Sequence, residues 1–164
     1  MTIYMKYGDI EGDATLSGYQ NWINLLHFNW QVDWTIASRA TIKSGTRDNK
    51  HPKMGDITIK KETDAATKDL LEAICRPKNP HGEKCVIRFQ TTGQDPLPDD
   101  SYYLEYIFHE SLITSISYAS EGDRPTEVIV INFTGVEMNV WALNTSNEWA
   151  GPYRFQRYNK VQDK

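Results

Sequence analysis

The chain has 164 residues, 39% of them hydrophobic, and a formal net charge of −4. That length suits one domain whose core buries roughly two thirds of the unfolded surface, with no room for a second, and the acidic balance argues against nucleic acid as a partner. No run approaches the ~18 apolar residues of a membrane-spanning helix, and the opening MTIYMKYGDIEGD lacks the basic and apolar regions of a signal peptide. The expectation is a soluble product of the cytoplasm, with no membrane insertion, that leaves a cell only through a machine reading no N-terminal signal.

Ile3, Met5 and Tyr7 alternate into a first strand that stops at Gly8-Asp9. Leu26, Phe28, Trp30, Val32 and Trp34 then alternate with His27, Asn29, Gln31 and Asp33, which predicts one strand with an aromatic core face and a polar face. Over residues 38–53 hydrophobic pattern fades and a long loop is predicted. Arg39, Lys43, Arg47, Lys50 and Lys53 face Asp48 alone there, a local sum of +4 that leaves −8 elsewhere.

Ile57 and Ile59 mark another strand. Thr63 or Asp64 caps a helix that runs to about Cys75, with Ala66, Leu70, Leu71 and Ile74 as its apolar stripe and Pro77 and Pro80 beyond its end. Cys85, Ile87 and Phe89 restart the strand alternation, and QDPLPDD (residues 94–100) forms an acidic loop.

Leu104, Tyr106 and Phe108 share one side of the next strand with Tyr102, while Tyr103, Glu105 and His109 take the other; LITSISYA (residues 112–119) reads as a further strand. EGDRP turns the chain, with Gly122 for positive φ, Asp123 for a local hydrogen bond from its side chain to the backbone, and Pro125 for a fixed φ. After it the continuous apolar run from Val128 to Ile131 predicts a central strand covered on both faces, and a last strand lies near residues 153–158. About eight strands and one helix, too few helices for parallel crossovers, predict a mainly β fold: an antiparallel barrel or sandwich of two packed sheets with one flanking helix and a long extended loop.

Chemistry leaves little trace. Phosphate loops, dinucleotide fingerprints, HExxH and GxSxG are all missing. His27, His51, His81 and His109 have no metal-ligand spacing, though His27 and His109 both fall on polar strand faces. Carboxylates such as Glu105 and Glu110, or Asp99 and Asp100, have no evident perturbing partner. No catalytic residue, cofactor or metal is expected, and Cys75 and Cys85 read as buried reduced thiols, a bridge between them being the alternative. The five tryptophans suggest a carbohydrate platform, yet Trp30 and Trp34 share the predicted core face, leaving Trp141 and Trp149 as the plausible surface rings. A basic loop on an acidic body favours contact with another copy, the acidic residues 95–100 being candidate acceptors.

Three blocks carry a resemblance: GYQNWINLLHFNWQV (residues 18–32), ITIKKETDAATKDLLEAIC (57–75) and above all YLEYIFHESLITSISYASEGDRPTEVIVINFTGVEM (103–138). In that order they are similar to the haemolysin-coregulated protein family, Hcp, tube subunits of bacterial type VI secretion. The resemblance implies a compact β-barrel whose copies form homohexameric rings that stack into a hollow tube. The tube is driven out with a spike protein by a contractile sheath on a baseplate, and small effector proteins travel in its lumen. It also implies that Arg39, Lys43, Arg47, Asp48, Lys50 and Lys53 form the loop reaching a neighbouring subunit or ring. His27, Asn29, Gln31, Glu105 and His109 line either the lumen or a subunit contact. Gly122, Asp123, Arg124 and Pro125 match the family's turn, needed for folding or for an interface. The last residues match less specifically, and the chain reads as residues 1–164 of tube domain without an appended toxin. Two other classes stand beside this reading: a secreted β-sandwich that binds carbohydrate or protein, and a small hydrolase using a residue such as Glu105 or His109.

Overall fold

The computed structural model describes residues 1–34, 52–91, 102–146 and 148–160. Its elements are β1 (Thr2–Tyr7), β2 (Ile23–Leu25), β3 (His27–Asn29), β4 (Val32–Asp33), β5 (Lys53–Met54), β6 (Ile57–Glu62), α1 (Thr67–Cys75), β7 (Glu83–Gln90), β8 (Leu104–Ala119), β9 (Thr126–Asn132), β10 (Gly135–Leu143) and β11 (Trp149–Asn159). All pairings are antiparallel. One sheet runs β2-β1-β7-β8-β10-β11 and the other β8-β9-β6-β3, while β4 and β5 pair with each other alone. The mainly β, two-sheet architecture with a flanking helix is the one read from the alternation.

The sheets are joined by β8, which corrects the division of residues 104–119 into two strands. Its first half pairs with β7 and β10, and its second half, from Leu112, pairs with β9. The bend sits at Glu110, whose φ of 50° is unusual for a residue with a side chain. There the register opposite β7 shifts between Glu83 and Cys85, the signature of an extra residue in one strand.

The core lies between the sheets. Met5, Ile23, Ile57, Ile59, Ile87, Phe108, Ile129, Ile131 and Phe133 are all buried there, each worth about 1.5–3 kcal/mol in apolar area removed from water. Trp30, Tyr106 and Phe133 meet the Phe108 ring, and Phe28 and Phe89 extend the cluster through Tyr106, with centroids 4.8–6.1 Å apart. On β9 burial alternates, Ile129 and Ile131 inward and Val128 and Val130 half-covered, so the strand is central but not covered on both faces as expected.

Two further expectations change. Residues 26–34 do not form one strand: the chain steps from β2 in one sheet to β3 in the other, and Leu26 donates its N–H to Lys60 O on the way. Leu26, Val32 and Trp34 are consequently exposed, and only Phe28 and Trp30 of the five predicted core residues pack against the interior. The helix begins at Thr67, later than expected, because Asp64 forms a turn first, its carboxylate accepting from Ala66 N–H at 2.9 Å and its carbonyl from Thr67 N–H at 3.2 Å. Leu70 is buried beneath the helix while Leu71 faces outward.

A second, smaller apolar cluster forms on the outer face of the first sheet. There Tyr4 stacks on Tyr19 at 4.3 Å and Tyr19 meets Trp22 edge-on at 5.3 Å. Tyr4 is thereby buried, so β1 is covered on its outer face at that point, while Lys6 farther along is exposed.

Candidate assembly surfaces

The residues expected at subunit contacts fall into three places. His27 and Asn29 are exposed on β3, at the free edge of the second sheet, beside Gln31, whose side-chain amide donates to Asp33 at 2.8 Å. Lys53 stands opposite Asp33 in the β4–β5 pair. Arg39, Lys43, Arg47, Asp48 and Lys50 lie outside the described residues, as do residues 95–100. The structure therefore gives the root of the predicted loop and not its reach.

Glu105 and His109 occupy the outer face of the first sheet, away from His27. Glu105 is 5% exposed. Its carboxylate accepts from Arg88 Nε and from Asn139 Nδ2, both at 2.8 Å. Cross-strand register explains the meeting, since Arg88 and Asn139 are its direct partners on β7 and β10. The Arg88 guanidinium also lies over Trp22 at 5.1 Å and Tyr102 at 4.5 Å. That role for Tyr102 breaks the predicted alternation, since Tyr102 faces outward and Tyr103 packs toward the core. Glu105 is thus occupied within its own chain, holding three strands together. His109 contacts Glu137 across to β10 at 2.6 Å and keeps partial exposure.

The turn residues make contacts within the chain. Gly122 takes φ +101° with open space around it, and Asp123 O accepts from Ser120 Oγ at 3.1 Å. Pro125 O accepts from both the N–H and hydroxyl of Thr63, at 2.9 and 3.1 Å, and Arg124 lies 3.8 Å from Glu62. These contacts pin the β8–β9 hairpin to the loop that enters α1.

Behind that pin lies a buried ionic group the sequence reading missed. Lys61 and Glu127 are both 0% exposed. Lys61 Nζ reaches Glu127 at 3.0 Å, Asp64 at 2.8 Å and Glu62 O at 2.7 Å, and the Thr67 hydroxyl donates to the other oxygen of Glu127 at 2.6 Å. Ile57, Ile59 and Lys61 all face inward on β6, as do Ile131, Ile129 and Glu127 on β9. A lysine and a glutamate at these positions read as polar outward residues, so the pair was legible only from their register opposite each other. It ties helix to sheet.

Lys160 closes the far end. It lies over the Phe133 ring at 3.8 Å and near Gly55 O and Asp56, and burial pushes its pKa down against the opposing pull of Asp56. A cleft of about 120 Å³ beside α1 carries the carboxylates of Asp9, Asp69, Glu72 and Glu83 together with Arg76 and Lys78. Of the tryptophans, Trp141 and Trp149 are half-buried and Trp34 is exposed at 56%, which reverses the expected surface aromatics. Cys75 and Cys85 are free thiols, the first exposed and the second buried. Among the described residues no group of His, Cys, Asp and Glu is arranged to hold a metal ion, and no helix is long and apolar enough to cross a membrane.

Residues 4–140 match the family model described as type VI secretion system effector, Hcp. The chain belongs to the Hcp family. Solved structures share its fold along nearly the whole chain. A type six secretion system protein aligns at TM-score 0.81 and 18% identity over 99% of this chain and 98% of its own. A type VI secretion system effector from Yersinia pestis aligns at 0.67 and 22% over 96% and 98%, and Hcp1 from Salmonella typhimurium at 0.66 and 16% over 91% and 90%. Comparison with curated protein sequences gives no match. This Hcp chain is therefore a type VI secretion protein of a structural family.

Proposed function

We propose that this chain, as one tube domain over residues 1–164, closes into six-membered rings that stack into a hollow tube. A contractile sheath on its baseplate drives that tube outward behind a spike protein, with small effector proteins carried in the lumen. The chain is made in the bacterial cytoplasm and leaves through that machine. Its work is mechanical and associative, with no bond made or broken.

The observation that carries this reading is the family match across residues 4–140 on a scaffold whose two sheets end, among the described residues, in strands paired on one side alone. A ring needs one surface to meet a different surface on the next copy, and β3 and β11 present different edges suited to that. The basic residues Arg39, Lys43, Arg47, Lys50 and Lys53, rooted at the β4–β5 pair, are the stacking arm. His27, Asn29 and Gln31 lie on a lumen or subunit-contact face. Light scattering on a sizing column tests the proposal. A particle of about six times the 18.9 kDa chain, with ring views by electron microscopy and stacking lost at high salt, is the expected result. A strict monomer at high concentration refutes it.

A further inference from the structure

Three rows of side chains cross the inward face of the first sheet from β8 through β10 to β11. Phe108, Val136 and Tyr158 form one, Tyr106, Met138 and Phe155 the next, and Leu104, Val140 and Tyr153 the third. Cross-strand partners share a face, and the β8 member of each row belongs to the core or packs against it. Cover runs out along the rows: Phe108 and Val136 are buried, whereas Phe155 is 45% and Tyr153 61% exposed. The interior face of the barrel continues past its cover as bare apolar surface.

The last strand is basic and, among the described strands, paired on one side alone. Residues 149–160 hold Arg154, Arg157 and Lys160 and no acid, so in a chain of net −4 everything else sums to −7. Lys160 is engaged with Phe133 and Asp56. Among the described residues the arginine ion pairs are those of Arg88 and Arg124, which leaves Arg154 and Arg157 without a carboxylate. Of the described strands β11 pairs with β10 alone, so the alternate residues on its outer edge turn their backbone groups away from any described strand.

We propose that the β10–β11 hairpin is the seam between subunits, with Tyr153 and Phe155 buried against a second copy of this chain and Arg154 and Arg157 meeting that copy's acidic surface. The proposal rests on the tube reading and names the surface it uses. The charge asymmetry sets the occupant: the hairpin is cationic and the rest of the chain anionic, so each copy offers what the next one's hairpin lacks. Because donor and acceptor are different patches, the contact runs head to tail, the geometry that closes rings.

Light scattering of the full chain across concentration tests this, with wild type beside Tyr153→Ser/Phe155→Ser and Arg154→Glu/Arg157→Glu, each checked for native circular dichroism. Both variants are expected to need at least about tenfold higher concentration than wild type to assemble, as loss of central aromatic or charged contacts does. Wild type and both variants assembling alike overturns the seam and leaves the tube reading standing. A wild type monomeric throughout overturns both, and one that stays monomeric yet binds anionic phospholipid vesicles through these side chains assigns the strip to a membrane surface. Should the serine variant misfold, amide exchange of wild type above and below its assembly concentration decides: slowing concentrated in residues 149–159 supports the seam, and none there refutes it.

Discussion

Removing Glu127 strands a cation. Lys61 is fully buried with two carboxylates within 3.0 Å, and Glu127 in turn accepts from Thr67 at the start of α1. Breaking a buried pair from one side costs about 3–5 kcal/mol, because the remaining charge has lost its compensation. Here Asp64 stays at 2.8 Å, so Glu127→Ala belongs at the lower end, about 3 kcal/mol. With a urea slope near ~2 kcal/mol per molar, the unfolding midpoint falls by roughly 1.5 M. Tryptophan fluorescence in urea, at one fixed protein concentration because assembly itself adds stability, reads this directly. The double variant Lys61→Met/Glu127→Leu removes both charges and is expected to recover most of the loss. A cost under about 1 kcal/mol, or a double variant no better than the single, refutes the view that an uncompensated charge sets the cost.

Four other outcomes are expected. One thiol per chain reacts with an aromatic disulfide reagent in the native protein and two in denaturant, since Cys75 is exposed and Cys85 is buried. Burial pushes the Cys85 thiol from 9 up to about 12, so the folded chain keeps a proton that the unfolded chain releases; the stability is whole below pH 9 and drains as pH rises through that window. Cys85→Ala flattens that alkaline slope without abolishing it, because burial also pushes the Tyr7 phenol up, and an unchanged slope by urea titration counts against this. Gly82→Ala destabilises far more than Gly18→Ala: both have strongly positive φ, but a Cβ at Gly82 meets Glu110 backbone at 2.4 Å and one at Gly18 meets nothing, which separates roughly 1 kcal/mol of strain from an outright clash. Arg88→Lys loses about 2 kcal/mol or more in thermal unfolding, since an ammonium replaces neither the stacking on Trp22 and Tyr102 nor the planar fork toward Glu105.

The fold was legible wherever side chains alternate on an unbroken strand. Met5 and Tyr7, and Cys85 and Ile87, face inward as their spacing requires, whereas the run Val128 to Ile131 hides an alternation in which Ile129 and Ile131 alone are buried. It was misread where backbone geometry overrides pattern. The chain changes sheets at Leu26 while the alternation continues, so Val32 and Trp34 keep their apparent phase and lose their cover. Glu110 bends β8 with a positive φ that glutamate does not advertise, and the prediction placed a strand break where there is one strand. Of the candidate site, His27, Asn29 and Gln31 are exposed as their polar face implied. Glu105 is not, because its cross-strand partners Arg88 and Asn139 are remote in sequence and only register brings them to it. The hairpin aromatics Tyr153 and Phe155 carry no motif; what distinguishes them is that the second sheet stops short of them, a property of three-dimensional cover.

The continuity of β8 decides how firmly the two sheets are coupled. Two sheets held together only by side-chain packing can slide past one another under an axial push, since dispersion contacts resist shear weakly and re-form after each small displacement. Here one covalent strand of sixteen residues runs from one sheet into the other. Displacing one sheet against the other must shear the ladders to β7 and β10 on one side or to β9 on the other, many hydrogen bonds at once. A displacement of one sheet is therefore passed to the other along a peptide chain that does not stretch, and the two sheets answer it as one stiff body.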